Sequence, residues 1–302
     1  MTESVAVVIV TFNRADLLTR MLDGLAAQTR PPDAVFVVDN ASTDHTREIL
    51  TARREHPDLP LQVTHSEENL GGAGGFHLGV RKAYDAGFDR IWLVDDDVVP
   101  APNCVEVLMA VDEDCVTSVR EDLGGALVEK AATDFDLRNP FAISPKRAAV
   151  DTVYADRASM PPLVEVQNVA FEGFMVRREV VAEIGFPDPS FFIFYDDAEY
   201  AIRARRAGHR IWAVRDAVLV RQLEFNQQHD LAGWKGFYMY RNLFVVHFRY
   251  GQNPLVRFKP WLITFAVVAL SPLRGGRAEA RNVIRAIRAA RGMRTVPPTT
   301  VD

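Results

Sequence analysis

Four short apolar runs, separated by helix-like segments, occupy the first part of the chain, and this alternation limits the fold more than any other feature of the sequence. The runs cover residues 5–10, 34–40, 61–66 and 90–94. The segments between them place apolar residues three and four positions apart, which is helical spacing. Strands that alternate with helices predict an α/β fold, with a Rossmann-like, mostly parallel sheet covered by helices on both faces.

Polar side chains follow each of the four runs. They are Thr11 and Arg14, then Asp39 and Asn40, then Asn69, and finally Asp95, Asp96 and Asp97. Ligands of such sheets bind at the carboxyl ends of the strands. We therefore expect these side chains to converge on one rim and to hold a ligand there.

Three consecutive aspartates directly follow the fourth predicted strand. In an extended segment alternate side chains share a face, so Asp95 and Asp97 can point to one ion while Asp96 points elsewhere. Carboxylates are the preferred protein ligands of Mg²⁺ and Mn²⁺, and phosphates often complete the shell. The competing interpretation is a solvated acidic turn, but the position behind a buried strand favours a cation that carries phosphates.

The segment ENLGGAGGF (68–76) contains four glycines in five residues. Such a backbone can approach a ligand closely, and a helix that begins there directs free N–H groups at an anion. It is not a phosphate loop of the G-K-[ST] type. It is not a dinucleotide fingerprint either, because His77 occupies the place of the third glycine.

A second acidic group, Asp196, Asp197 and Glu199, lies at the start of a predicted helix within FFIFYDDAEY (191–200). One interpretation is helix capping, combined with ion pairs to the arginines that follow at Arg203, Arg205 and Arg206. The functional interpretation is a general base, since a carboxylate in a partly closed pocket can take the proton of an attacking hydroxyl.

The C-terminal part of the chain is basic, although the net charge is −5. From Gly251 onward there are nine Lys or Arg residues against two acidic ones. As a helix, the segment RGGRAEARNVIRAIRAARGM separates an apolar face from a basic face. The apolar face holds Val283, Ile284, Ile287 and Ala290, and the basic face holds Arg281, Arg285 and Arg288. This pattern predicts a helix in a membrane interface. The alternative is a helix packed on the catalytic domain, and the acidic remainder of the chain argues against nucleic acid.

Cellular location and domain organisation follow from the remaining features. Two cysteines, Cys104 and Cys115, form no metal-binding pattern, and the N-terminus lacks the features of a signal peptide, which predicts the cytoplasm. The apolar run 260–270 is too short to span a bilayer. We expect a catalytic domain over residues 1–230 and a helical, basic, membrane-associated region over residues 231–302, peripheral on the inner face of the cell membrane.

Five segments together resemble the inverting, GT-A glycosyltransferases of family 2. They are VVIVTFNR, VVDNASTD, NLGGAGGF, WLVDDDV and FFIFYDDAEYAIRARRAG, in the order that the family has them, over roughly residues 5–250. NLGGAGGF followed by WLVDDDV is most similar to actinobacterial galactofuranosyltransferases, and the length and basic C-terminus resemble the initiating enzyme of galactan assembly. The resemblance implies transfer of galactofuranose from UDP-galactofuranose to a polyprenyl-diphosphate-linked glycan during cell-wall galactan assembly.

The resemblance also implies roles for the candidate residues. Asp197 would be the catalytic base, and Asp196 would contact sugar or acceptor hydroxyls. Asp95 and Asp97 would bind Mn²⁺ or Mg²⁺ together with the diphosphate. The donor-binding candidates are Thr11, Arg14, Asp39 near the uracil, Asn40, Asn69, Asp95, and Asp96 near the donor sugar.

One position departs from the family pattern. Relatives often place a metal-ligating histidine shortly after the strand that follows the helix of the base, and here Arg221 stands about there. His229 lies several residues further on and is a candidate substitute. Either the metal takes a different third ligand, or Arg221 supplies part of the positive charge on the diphosphate.

Three other functions compete with this interpretation. The enzyme could be a rhamnosyl- or other hexosyltransferase of polysaccharide biosynthesis, which would use a different sugar donor in the same chemistry. The missing histidine leaves open a nucleotide-sugar-binding protein without turnover, although the acid pair at residues 196 and 197 argues against it. An NAD-dependent oxidoreductase is disfavoured by the failed glycine fingerprint.

Overall fold

The computed structural model describes residues 3–54, 59–142, 144–223, 231–272 and 277–296. The strands in this part of the chain are β1 (Val5–Thr11), β2 (Ala34–Asp39), β3 (Leu61–His65), β4 (Arg90–Asp95), β5 (Val98–Pro100), β6 (Cys115–Glu121), β7 (Ala132–Phe135), β8 (Lys146–Ala149), β9 (Leu163–Val166), β10 (Phe174–Arg177) and β11 (Ile211–Arg221). The helices are α1 (Ala15–Ala26), α2 (Thr46–Arg54), α3 (Gly71–Asp85), α4 (Cys104–Met109), α5 (Val150–Val153), α6 (Arg178–Ile184), α7 (Asp196–Arg206), α8 (Trp234–Tyr250), α9 (Pro254–Leu270) and α10 (Arg277–Gly292).

One large sheet organises the first 223 residues. Its first half has the order β3-β2-β1-β4, and these strands are all parallel, as the sequence predicts. Its second half is mixed: β10 is antiparallel to both β4 and β6, whereas β11 is parallel to β6. Strands β5 and β9 pair with β11 in antiparallel fashion, and β7 pairs with β8 in a small separate sheet.

Alternate residues of the central strand β1 contribute to two different cores, one on each face of the sheet. Val5, Val7 and Ile9 pack with apolar residues of α1, α2 and α4. The residues between them, Ala6, Val8 and Val10, pack with α3, α6 and α7. This arrangement explains why the strand reads as a continuous apolar run rather than an alternating one.

The glycine-rich segment lies inside helix α3, which begins at Gly71. Its glycines allow α3 to pack closely on the sheet. A Cβ atom on Gly75 would lie 2.5 Å from Val10 Cγ1 and 3.2 Å from Asn40 Nδ2. Gly71 has φ +70° and faces the carbonyl of Phe192, a conformation and a contact that suit glycine.

Helices α8, α9 and α10 pack together and share a third core with the loop before α7. The apolar face of α10 is buried in this core: Val283 is 0% exposed and Ile287 is 4% exposed, while Arg281, Arg285 and Arg288 face solvent. The sequence predicts that this apolar face enters a membrane, and that prediction is wrong because α8 and α9 cover the face. None of the described helices combines the length and the apolar composition that a bilayer crossing requires.

The predicted domain boundary at residue 230 falls at the end of residues 224–230, which lie outside the described part of the chain, and it stays a prediction.

Candidate functional site

The register of the parallel strands brings the predicted polar residues to one rim of the sheet. Thr11 of β1 pairs with Asp39 of β2, and Asp39 pairs in turn with His65 of β3. On the other side of β1, Val10 pairs with Asp95 of β4. Because parallel strands end at the same edge, side chains distant in sequence meet there.

The middle aspartate of the triplet is hydrogen-bonded to two other residues of the rim. Asp96 is 3% exposed, and its two carboxylate oxygens accept hydrogen bonds from the Thr11 hydroxyl at 2.7 Å and from Arg14 Nη1 at 2.9 Å. Burial raises the pKa of Asp96 to about 6, although both partners lower it. Thr11 and Asp96 therefore support one another, and Arg14 is fixed beside the acidic turn.

The other two aspartates line a cavity of about 380 Å³. Burial and the mutual repulsion of Asp95 and Asp97, with Glu172 nearby, raise the pKa of Asp95 well above its usual value. The pKa of Asp97 is raised by burial and by Glu172, although Arg14 lies 3.1 Å away. Two carboxylates with raised pKa values that face one cavity form a site that a cation would stabilise.

Glu172, which the sequence analysis missed, lies in the loop before β10 and lines the same cavity. It accepts a hydrogen bond from Arg120 Nη1 at 2.6 Å and another from Arg221 Nη2. Burial would raise its pKa, but the two arginines outweigh burial and lower it. Arg221, at the place of the expected histidine, is thus held by Glu172 at the cavity wall.

The residues present fit a divalent cation with two protein ligands. Asp97 Oδ1 is buried and has no hydrogen-bond partner within the described residues, so it is available to a ligand. In the same part of the chain, no group of three or more His, Cys, Asp or Glu side chains has metal-binding geometry. His229 lies outside the described residues. Phosphate and water oxygens would have to complete the shell of an ion on Asp95 and Asp97, as is usual for Mg²⁺.

A second pair of aspartates lines the same cavity from α7. Burial and the neighbouring charge of Asp197 raise the pKa of Asp196 to about 8. Burial raises the pKa of Asp197 to about 6, against the hydrogen bond from the Ala198 N–H and the charge of Lys146. The alternative interpretation, pairing with downstream arginines, applies to Glu199, which binds Arg203 at 2.9 Å. Among the described ion pairs neither aspartate takes part.

Asp197 also lines a second cavity of about 250 Å³. This cavity is also lined by the polar residues Ser144, Lys146, Asn168 and Tyr195 and by apolar residues that include Phe135 and Met239. Asp197 therefore lines both cavities, and Asp95 and Asp97 line the first of them.

The loop that delivers the second acid pair is strained. Phe192, Phe194 and Tyr195 have φ values of 63°, 67° and 64°, a region that non-glycine residues rarely adopt. Asn242 of α8 holds this loop, because its amide nitrogen lies within 3.0 Å of the carbonyl oxygens of Phe191, Ile193 and Phe194. Strained backbone is found preferentially at functional sites. The C-terminal helices thus shape the site.

The remaining predicted residues lie further along the rim. Asp39 is fully buried, and hydrogen bonds from Ser42 and His65 outweigh burial and lower its pKa. Asn40 Nδ2 donates to the carbonyl of Gly71 at 2.9 Å, while Asn69 Oδ1 accepts from the Gly71 N–H at 2.8 Å. Both asparagines therefore order the start of α3.

Comparison with known proteins identifies the family. The family model described as Glycosyltransferase like family 2 matches residues 3–234, more than two thirds of the chain. The chain belongs to this family.

Two of the similar relatives carry the name galactofuranosyltransferase GlfT1. The protein from Mycolicibacterium smegmatis is 32% identical over 208 residues, which cover 68% of this chain and 67% of the relative. The protein from Mycobacterium tuberculosis H37Rv is 34% identical over 213 residues, which cover 69% of this chain and 66% of the relative. The matched region thus spans about two thirds of each relative.

Solved structures confirm the predicted GT-A fold. The mannosyltransferase PcManGT from Pyrobaculum calidifontis, in complex with GDP-Man and Mn²⁺, has a TM-score of 0.57 and 19% identity and covers 97% of this chain and 87% of its own. GalNAc-T7 with UDP, GalNAc and Mn²⁺ has a TM-score of 0.64 and 16% identity, and the match covers 100% of this chain and 60% of GalNAc-T7.

In this glycosyltransferase, Asn242→Ala is expected to lower turnover and stability together, because the strained loop loses the Asn242 amide, whose two N–H groups serve three carbonyl oxygens. The chain offers a matched control: Asn282 Nδ2 also reaches three carbonyl oxygens, at 2.8–3.1 Å, but at the start of α8. Each variant should lose about 1–3 kcal/mol of unfolding free energy in urea denaturation, the usual cost of unsatisfied buried groups. Only Asn242→Ala should reduce kcat, and equal kcat losses in both variants would contradict the role of Asn242.

Proposed function

We propose that this glycosyltransferase transfers galactofuranose, with inversion, from UDP-galactofuranose to a polyprenyl-diphosphate-linked oligosaccharide in cell-wall galactan assembly. The observation that carries the proposal is the shared cavity, with Asp95 and Asp97 on one wall and Asp196 and Asp197 on another. The choice of galactofuranose is supported by the 32% and 34% identity to two galactofuranosyltransferases.

The first acid pair suits the leaving group. Asp95 and Asp97 would hold Mn²⁺ or Mg²⁺, which when bound neutralises negative charge that develops on the departing diphosphate. Arg14 and Arg221 line the same cavity and add positive charge there. The position of Arg221 on this wall supports the proposal that its positive charge takes over part of the role that a histidine-bound metal has on the diphosphate in relatives.

The second acid pair suits the acceptor. As the acceptor hydroxyl oxygen forms a bond to the anomeric carbon, the bond from that carbon to the diphosphate breaks, and the hydroxyl proton passes to Asp197. A pKa of about 6 leaves Asp197 ionised at neutral pH, as a base must be. Asp196, with a pKa of about 8, is protonated there and can donate a hydrogen bond to a sugar or acceptor hydroxyl.

The remaining residues of the rim are proposed to contact the donor. Asp39, Asn40 and Asn69 would face the uridine part of UDP, and the buried charge of Asp39 is held by Ser42 and His65. Thr11 and Asp96 are bonded to each other, which favours a supporting role next to the donor sugar.

The proposed acceptor is anchored in a lipid, so we place the enzyme on the cytoplasmic face of the cell membrane as a peripheral protein. The exposed arginines of α10 support attraction to an anionic surface.

The test is release of UDP from UDP-galactofuranose in the presence of a polyprenyl-diphosphate-linked acceptor. We expect turnover that stops with EDTA and returns with Mn²⁺ or Mg²⁺. A thermal-shift panel of UDP-, GDP- and dTDP-sugars provides the control for donor choice. If a dTDP-sugar stabilises the protein and UDP-galactofuranose does not, the proposed donor is wrong. Binding of the donor without turnover would indicate a non-catalytic protein.

A further inference from the structure

Helix α9 presents a continuous apolar stripe to solvent. Leu255, Phe258, Leu262 and Phe265 are 53–74% exposed, and they recur at the spacing that places residues on one side of a helix. The opposite side, with Val256 and Val267, is buried against the rest of the protein. Six of the thirteen exposed large apolar side chains among the described residues lie on α9, the other two being Val268 and Leu270.

An exposed apolar stripe of this kind indicates a binding surface. Soluble monomers rarely expose a contiguous apolar surface of several large side chains, and those that do use it to bind a protein or a membrane. Helix α9 has 17 residues, which is too short to cross a bilayer. An apolar face on one side and a packed face on the other suit a helix that lies in the plane of a membrane interface.

The charges around the stripe indicate an anionic partner. Between residues 254 and 296 the only acidic residue is Glu279, whose carboxylate accepts a hydrogen bond from the Tyr240 hydroxyl at 2.5 Å. Arg257 lies exposed on α9, next to the stripe, and the Arg291 guanidinium carbon lies 5.6 Å from the centre of the Trp261 ring. A second copy of this chain would bring a like basic border against this one, whereas anionic lipid headgroups complement it.

The stripe is connected to the second cavity by one segment of chain. Lys259 of α9 donates to the carbonyl of Ala142 at 2.5 Å, and Phe141 beside it is 90% exposed. Two residues further on, Ser144 and then Lys146 line the cavity that contains Asp197. The apolar surface and the base are thus linked through residues on either side of position 143.

We propose that the outer face of α9, together with Phe141, binds the headgroup and acyl-chain boundary of an anionic bilayer, and that the second cavity receives the sugar end of an acceptor anchored in that bilayer. The membrane contact stands on the exposed stripe and the basic residues around it, whereas the assignment of the cavity rests on the proposed function. The membrane contact that the sequence predicts for the apolar face of α10 is thus assigned to the exposed face of α9.

The test is flotation of the full chain with vesicles of equal parts phosphatidylglycerol and phosphatidylcholine, compared with phosphatidylcholine alone. We expect binding to the anionic vesicles, and in the double variant Leu262→Glu and Phe265→Glu a fall of at least about tenfold in the bound fraction, since two apolar anchors are lost. Leu123→Glu is the matched control, because Leu123 is 73% exposed, like Phe265 at 74%, but lies outside the stripe. Its binding should equal that of the wild type.

Two outcomes would overturn the inference. One is a double variant, folded by circular dichroism, that binds vesicles as the wild type does. The other is a wild-type chain that ignores vesicles and forms a dimer that the double variant abolishes, because the stripe would then bind a second copy. Flotation requires neither donor nor acceptor, so its failure leaves the proposed transferase activity standing, and lost turnover with intact flotation would refute only that activity.

Discussion

Asp197→Asn is expected to lower kcat by about 100- to 10,000-fold, the range that a general base contributes. The amide has the size of the carboxylate, but it cannot accept the proton of the acceptor hydroxyl. Donor binding should change little, because Asp97 and Asp95, which face the proposed leaving group, remain in place. The measurement is UDP release at saturating donor and acceptor, with donor affinity measured separately by thermal shift.

The adjacent aspartate is the control for this prediction. Asp196 has a pKa of about 8, so it is already neutral at pH 7, and an amide in its place keeps the capacity to donate a hydrogen bond. We therefore expect Asp196→Asn to retain much more turnover than Asp197→Asn. The opposite order would assign the base to Asp196.

The pH dependence gives a second readout for the base. Asp197 must be ionised to act, and its pKa is about 6, so kcat/KM of the wild type should fall as the pH drops through about 6. The positive charge of Lys146 lowers the pKa of Asp197. Lys146→Gln should therefore move this acidic limb to higher pH, and an unmoved limb would argue that another group titrates.

The sequence predicts the parallel half of the sheet and both acid pairs because their signals are local. Apolar runs identify strands, and the carboxylates that follow β4 and begin α7 stand next to each other in the chain. Glu172 carries no such signal: it is a single acid in an irregular loop, and its place depends on Arg120 and Arg221, which are far away in sequence. Glu172 meets these arginines only because β10 and β11 both pair with β6, and the sequence alone does not indicate that pairing.

The same limit explains the error about the C-terminal helices. The amphipathic pattern of α10 indicates that one face is covered but not what covers it, and in the structure the cover is α8 and α9. Nor does the apolar composition of α9 indicate which side of this helix stays uncovered, and in the structure Phe265 is 74% exposed. Likewise nothing near Asn242 in sequence indicates that its amide holds the loop before Asp196.

Asp97→Asn is expected to reduce turnover by about 1,000-fold or more, since the stabilisation of a leaving diphosphate by a cation is worth several kcal/mol. The variant keeps Asp95 but loses the carboxylate whose buried Oδ1 has no hydrogen-bond partner in the described chain. Binding of Mn²⁺ to the metal-free protein, measured by electron paramagnetic resonance of the free ion, should weaken in parallel. If the variant keeps full turnover that is still sensitive to EDTA, the metal does not bind at Asp97.

The stability of the metal-free variant separates this role from a structural one. The pKa of Asp97 is raised in the folded protein by burial and by Glu172, so its ionised form destabilises the fold at neutral pH. Asp97→Asn should therefore raise the unfolding free energy at pH 7. This gain should shrink as the pH falls through the raised pKa of folded Asp97, and it should vanish below the ordinary pKa of an aspartate in the unfolded chain. A variant at residue 97 that is more stable and yet inactive can only have lost a ligand-binding group, whereas joint loss of stability and activity would assign Asp97 to the scaffold.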